Sequence, residues 1–470
     1  MRKKLLAAGA LAAATATAIA IAPLTAEATG APHPRSAVPP ACTPASPPAP
    51  PLTATTTSTI GQAFYCILDH YYDGPNLSER ALLTSAFAAF TQELQRRGLD
   101  RADAGVPALT GHRDADWAAF AAVYQKVTDE LPADPAVRQG VAEATMSGLI
   151  GGLNQNHVDW LRVPNKTAAP LGMSVSGRNG AGKTDPAAVG PLFVQSVQAG
   201  GLAAGAAVSA GDEITAVDGV PPFVGGQLVK AVSDQISDPQ PDVPVTVAFR
   251  RPATGQTFTV TLTPRLAGPG APPAVTSRLL DGGVGYVQLP GFYTGAADQI
   301  QAAVAALRTR APLHGLVLDL RGNGGGSPVE RAKLLGMLAH DKVTSYECDR
   351  HSKCTPNHTD DSEALLGLPL VVLTDRDCAS ACDSFASSVK DLHLGTLVGA
   401  RTAGVVAGLP QGYVLDDGSS VVFPTSYELG ADHESVNGVG VAPDYDAPLT
   451  AAGLSAGHDA GVEKALAVLG

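Results

Sequence analysis

The chain has few aromatic residues, few charges and no long basic run. Aromatics make up 5% of its 470 residues and charged residues 16%. Acidic side chains outnumber basic ones 44 to 32, a formal net charge of −12. Nucleic acid is therefore excluded as an expected partner, because a phosphate backbone is recognised by clustered Lys and Arg. Beyond the first 28 residues no segment is long and apolar enough to span a bilayer. Broad disorder is also excluded: 45% hydrophobic residues suffice for real cores. The length exceeds one ordinary domain, and 51 Gly and 37 Pro imply many turns.

The N-terminus, MRKKLLAAGALAAATATAIAIAPLTAEA, fits a secretory signal peptide. Arg2, Lys3 and Lys4 form a positive n-region, residues 5–24 are rich in Ala and Leu, and Ala26-Glu27-Ala28 offers an A-x-A cleavage site. An uncleaved anchor is the alternative, but the Ala and Thr content makes the run weakly hydrophobic. The mature protein is expected to be exported (secreted or extracellular), with no membrane partner after cleavage. Six cysteines in an exported chain favour disulfides. Sequence order suggests Cys42 with Cys66. The remaining four pair either as Cys348–Cys354 and Cys378–Cys382 or in a crossed scheme, and spacing alone leaves both open. Cys348, His351, Cys354 and His358 have spacing that could hold zinc, but disulfide formation outweighs it outside the cell. No metal or cofactor is expected.

Residues 29–58 are rich in Pro, Ala and Thr and read as a flexible or extended linker. Residues 59–165 show helical spacing in AFYCILDHYY, RALLTSAFAAFTQEL and AVRQGVAEATMSGLIGGL. Residues 166–265 contain short β-rich runs punctuated by Gly and Pro. From 278 to 465 strand and helix patterns alternate, which predicts an α/β sheet.

Two segments could carry chemistry. In LVLDLRGNGGG, 316–326, a buried strand runs into a glycine loop whose amides could form half an oxyanion hole. A plain tight turn is the structural alternative. In LPLVVLTDRDCASACDSF a strand runs into Ser380 and then a helix pattern. A helix starting there would aim its N-terminal amides, Ala381 first, at an oxyanion beside the hydroxyl. An N-cap role is the plain alternative for Ser380.

Together, LDLRGNGGG, then LTDRDCASACDSFASSVKD, then GARTAG resemble the C-terminal processing (tail-specific) peptidases, the S41 serine peptidase family. The resemblance implies Ser380 as nucleophile, with Gly326 and Ala381 as oxyanion-hole residues. LGMSV followed by FVQSVQAGGLAAGAAVSAGDEITAVDG is similar to a PDZ domain, which makes Leu171, Gly172 and Met173 the peptide-binding loop. VNGVGVAPDYD resembles the family's closing G-V-x-P-D motif. The implied fold is multidomain α/β: an N-terminal helical region, a β-rich PDZ-like domain and a ClpP/crotonase-like α/β peptidase core. The implied partner is a protein or peptide substrate.

The better-known branch of this family uses a Ser–Lys dyad, with lysine closing GxxTxGK. Here Val405 holds that position and cannot accept a proton. A second branch, similar to the tricorn core protease, uses a histidine in L-x-x-x-H before the PDZ domain. Leu153-Asn154-Gln155-Asn156-His157 matches it, and imidazole is the usual base for serine. The residues that would orient the imidazole map to Asn156 and to Asn437, or to Glu434 if the loop shifts. The expected activity is that of a secreted serine endopeptidase. A catalytically weak or inactive peptide or small-ligand binder on the same fold is the alternative.

Overall fold

The computed structural model describes residues 41–470 apart from 47–49, 156, 163–169, 180–187, 267–274 and 409. The expected signal peptide, Asn156 and half of the Pro-rich linker lie outside the described residues. No helix among the described residues is long and apolar enough to cross a membrane.

The N-terminal region comprises a short strand, β1 (Thr43–Pro44), four helices and a second strand, β2 (Asp159–Leu161). The helices are α1 (Thr57–His70), α2 (Glu79–Arg96), α3 (Arg113–Asp129) and α4 (Pro135–Gly151). Their starts are written in the sequence. Thr56 and Thr59 form a reciprocal capping box on α1, Ser78 caps α2, and Asp134 followed by Pro135 opens α4. The chain's scarce aromatics are concentrated here. Phe64, Phe87, Phe90, Trp117, Phe120 and Tyr124 are all buried, with Trp117 and Phe120 stacked at 5.6 Å.

The PDZ-like region holds β3 (Met173–Gly177), β4 (Leu192–Val197), α5 (Leu202–Gly205), β5 (Glu213–Val217), β6 (Phe223–Val224), β7 (Gln227–Leu228), α6 (Lys230–Ser237), β8 (Val245–Arg250) and β9 (Thr257–Leu262). Five of these strands form an antiparallel sheet in the order β3-β4-β5-β8-β9. Its inner face buries Val175, Val194, Ile214, Val247 and Phe249 against Val232 and Ile236 of α6.

The core begins with β10 (Thr276–Leu280), β11 (Val284–Gln288), α7 (Ala296–Arg310), β12 (Gly315–Asp319) and α8 (Pro328–Gly336). A hairpin, β13 (Val343–Asp349) and β14 (Cys354–His358), precedes β15 (Leu370–Thr374), α9 (Ala381–Asp391) and β16 (Thr396–Gly399). The chain closes with β17 (Pro410–Val414), β18 (Ser420–Pro424), β19 (Ser426–Gly430), β20 (Tyr445–Asp446), α10 (Ala451–Ser455) and α11 (Ala460–Leu469). The central sheet has the order β10-β11-β12-β15-β16-β20 and is parallel from β11 onward. Every residue of β12 and β15 is buried, the near-continuous apolar run of a strand covered on both faces. Helices α7, α8 and α9 cover one face, and α11 covers the other.

The hairpin β17–β18 leaves this core and joins the N-terminal layer. Strand β1 pairs with β17, and β2 pairs with β18. Tyr413, Leu415, Val421 and Phe423 enter the aromatic core of α1 to α4. The last linker residues are held here too. Thr53 N–H donates to the Asp417 carbonyl at 2.9 Å, and the Thr55 hydroxyl donates to the buried Asp417 carboxylate at 2.7 Å. That end of the linker is extended but anchored.

The disulfides are Cys42–Cys66, Cys348–Cys354 and Cys378–Cys382. The uncrossed scheme is thus the one formed. Cys348 and Cys354 face each other in the β13–β14 register, so their sulfurs are spent on each other.

Candidate active site

Parallel pairing sets the site. Asp319 of β12 is level with Leu373 of β15, so both strands end at the same sheet edge. The loops that follow, 320–327 and 375–380, therefore emerge side by side at the C-terminal edge, the usual ligand edge of such sheets. Arg321 anchors the first loop, bonding to Asp319 at 2.6 Å and to Asp459 at 2.8 Å. Asp375 anchors the second. Its carboxylate accepts the amides of Asp377 and Cys378 at 3.0 and 3.1 Å, and that of Gly322 at 3.0 Å.

Asn323 locks the two loops together and is fully buried. Its Oδ1 accepts Gly325 N–H at 2.9 Å, its Nδ2 donates to the Leu289 carbonyl at 3.0 Å, and its own carbonyl accepts Ala379 N–H at 3.1 Å. The approach is so close that a Cβ on Gly325, where φ is +99°, would lie 2.6 Å from Ala379 O, 2.7 Å from Ser380 Cβ and 2.9 Å from Ala381 N. Only glycine fits there.

Ser380 sits at the N-cap of α9 with φ 56° and ψ −120°, outside the regions L-residues favour. Its side chain makes no capping bond, so the plain N-cap role does not hold. Its amide donates to the Val405 carbonyl at 2.8 Å. The hydroxyl is thus held on a strained turn, without a partner among the described residues. Gly326, Ser380 and Ala381 line one cavity of about 340 Å³, together with Arg331, Glu347 and Glu428. The Gly325 amide is taken by Asn323.

Asp383, one helical turn beyond Ser380, was not singled out by sequence reasoning. It is buried, and its two oxygens accept the amides of Gly404 and Val405 at 3.0 and 2.9 Å. Burial pushes its carboxyl up, while these amides and the Thr402 hydroxyl oppose the shift. Asp383 thereby fixes the segment whose Val405 carbonyl holds Ser380. The signal was available: Asp383 stands where the family pattern S-A-S-A-[SC]-E has its acidic residue.

His157 lies in the turn between α4 and β2. Strand β2 begins two residues later, at Asp159, which pairs with Val422 of β18. His157 is not among the residues that line the Ser380 cavity, to which Ala407 and Gly408 contribute. Among the described residues the buried His157 Nδ1 has no hydrogen-bond partner, an arrangement that needs a reason. Burial lowers the imidazole pKa below its usual value, and the Asp159 carboxylate partly opposes this. The structure shows no hydrogen bond between His157 and Ser380 among the described residues.

The expected orienting residues are engaged elsewhere. Asn437 Oδ1 accepts the Val406 amide at 3.1 Å, buttressing the same segment that Asp383 holds. Glu434 Oε1 accepts the Ser387 hydroxyl at 2.8 Å on the far part of α9, beside Asp391. Glu434 therefore bonds to α9 and not to the imidazole. In the PDZ-like loop, the carbonyls of Leu171 and Gly172 accept Ala203 and Gln198 amides, and Met173 opens β3.

The sequence profile of peptidase family S41 matches residues 283–447, and that of the PDZ domain matches residues 161–238. Residues 283–447 are a peptidase family S41 domain. Carboxyl-terminal-processing peptidase 1, chloroplastic, of Arabidopsis thaliana is 27% identical over 336 residues, covering 68% of this chain and 66% of its own length. C-terminal processing peptidase, chloroplastic, of Tetradesmus obliquus is 30% identical over 290 residues, covering 58% of this chain and 59% of its own. The chain thus spans about two thirds or less of these relatives. Among solved structures, the photosystem II D1 C-terminal processing protease superposes with a TM-score of 0.52 at 23% identity, over 86% of this chain and 95% of that one. The S41 domain therefore sits in the fold of a processing protease, and the PDZ sheet extends past residue 238 through β8 and β9.

Proposed function

We propose that the chain is an exported serine endopeptidase in which Ser380 is the nucleophile and His157 the general base. The observation that carries this is the Ser380 turn. A positive-φ serine without a capping bond lies against a glycine loop, and Gly326 and Ala381 line its cavity. His157 takes the Ser380 proton as Oγ attacks the scissile carbonyl. The Gly326 and Ala381 amides hold the oxyanion of the tetrahedral intermediate. The imidazolium then protonates the leaving amine, and water, deprotonated by the same imidazole, hydrolyses the acyl-enzyme.

Val405, in the place of the usual lysine, contributes only its backbone. Its carbonyl accepts Ser380 N–H, and its amide donates to Asp383. Asp159 is the carboxylate whose charge favours the imidazolium of His157. The loop at Leu171, Gly172 and Met173 recruits substrate C-termini. Three disulfides support an oxidising compartment, in keeping with the N-terminal export signal.

Hydrolysis of a casein-type substrate, lost in Ser380→Ala, is the expected result. Full activity in Ser380→Ala would overturn the assignment. A wild-type protein that binds peptides but never cleaves them would instead be a binder on a peptidase fold.

A further inference from the structure

Gln195 lies on β4 of the PDZ-like sheet and is 9% exposed. Its side chain leaves that domain, and Nε2 donates to Asp375 Oδ2 at 2.7 Å, a bond spanning 180 residues of chain. Asp375 is 5% exposed, and its carboxylate already clamps both active-site turns. It accepts Gly322 N–H at the start of the glycine loop and Cys378 N–H two residues before Ser380. The nearby Arg321 guanidinium is taken by Asp319 and Asp459. Gln195 Oε1 is buried without a partner, so among the described residues the one bond of this amide group is to Asp375. The contact sits within a wider seat, where Ala253 N–H donates to Ser455 Oγ at 3.1 Å and Gly211 packs against the same residue.

We propose that Gln195 is a positioning residue of the peptidase site: through Asp375 it holds the oxyanion loop and the Ser380 turn in register. The PDZ-like domain is thereby a structural component of the catalytic centre as well as a recruiter. The proposal rests on the assignment of Ser380 as nucleophile. The amide group suits the role because it offers Asp375 a proton without adding charge to a buried carboxylate.

Two variants test it. Gln195→Leu removes the donor and is expected to lower kcat about tenfold, the effect of one lost bond to a charged group, with KM unchanged. Gln195→Glu puts a second carboxyl beside Asp375. Protonated, it donates as glutamine does; ionised, it repels. Its kcat relative to wild type is expected to be near one at about pH 5 and to fall at least tenfold by about pH 8. A merely structural contact would give a ratio independent of pH. In a Ser380→Ala background, Gln195→Leu is expected to speed amide exchange selectively in 320–327 and 375–382. That readout stands whether or not Ser380 is the nucleophile. Wild-type kcat in Gln195→Leu, a flat ratio for Gln195→Glu, or unchanged exchange in those two segments would overturn the proposal.

Discussion

Substituting Gly325 by alanine tests the contact between the glycine loop and the serine turn. The new Cβ would meet Ala379 O, Ser380 Cβ and Ala381 N at 2.6, 2.7 and 2.9 Å, against an ordinary contact of 3.4 Å or more. Two of these atoms are backbone and the third is the nucleophile's own Cβ, so no flexible side-chain end can yield. Relief requires the loops to separate by roughly 0.5–0.8 Å, and misplacement near 1 Å costs about 10²-fold in rate. Loss of one oxyanion donor costs about 10²–10³ in kcat. We therefore expect Gly325→Ala to lower kcat/KM on casein by about 10²–10³. The φ of +99° adds strain of about 1–3 kcal/mol, visible as reduced thermal stability. Gly324 is the internal control, because a Cβ there meets nothing within 4 Å and φ is not positive. Gly324→Ala should stay within about twofold of wild type, since no contact or backbone conformation opposes it. Equal damage in both variants, or wild-type activity in Gly325→Ala, would refute the reasoning.

Asp383→Ala strands two amides, so we expect a stability loss of at least about 2 kcal/mol in denaturant titrations and a fall in kcat. Asp391 is pushed up to about 7, first by burial and then by Glu434. Its folded pKa lies above its unfolded one, so the folded protein is stabilised by the bound proton at low pH. That stabilisation is lost as pH rises from about 4 through 7, with a ceiling of about 1.4 kcal/mol per pH unit. Glu434→Gln should flatten this decline in urea midpoints measured against pH. The lowered pKa of His157 places the acid limb of kcat/KM below pH 6.5, the ordinary imidazole value. Replacing Cys42 and Cys66 by serine opens a loop with a sequence separation of 24. The chain-entropy relation gives a cost of about 3.5 kcal/mol, measurable by chemical denaturation.

The glycine loop and the Ser380 turn were legible as local structure because their determinants are local. The glycine loop, the serine at the strand–helix junction and the valine in the lysine position each occupy a few consecutive residues. Shifts in periodicity separated helical, β-rich and alternating stretches of the sequence. What was hidden depends on distant pairing. Nothing near 410–424 announces that this hairpin joins the N-terminal helices, because its partner strands β1 and β2 lie hundreds of residues upstream. Glu434 and Asn437 were placed at the imidazole by position in a motif, yet Ser387 and Val406 capture them. Gln195 reads as one polar residue in a β-run, and only the docking of two domains gives it Asp375.

A fluorophosphonate probe with mass-spectrometric site mapping bears most directly on Ser380 and His157. Wild-type protein should carry the adduct on Ser380, and Ser380→Ala should carry none. His157→Ala should react at least about 100-fold more slowly, the low end of general-base catalysis. Rapid labelling in His157→Ala, or an unlabelled Ser380 in the wild type, would contradict the mechanism.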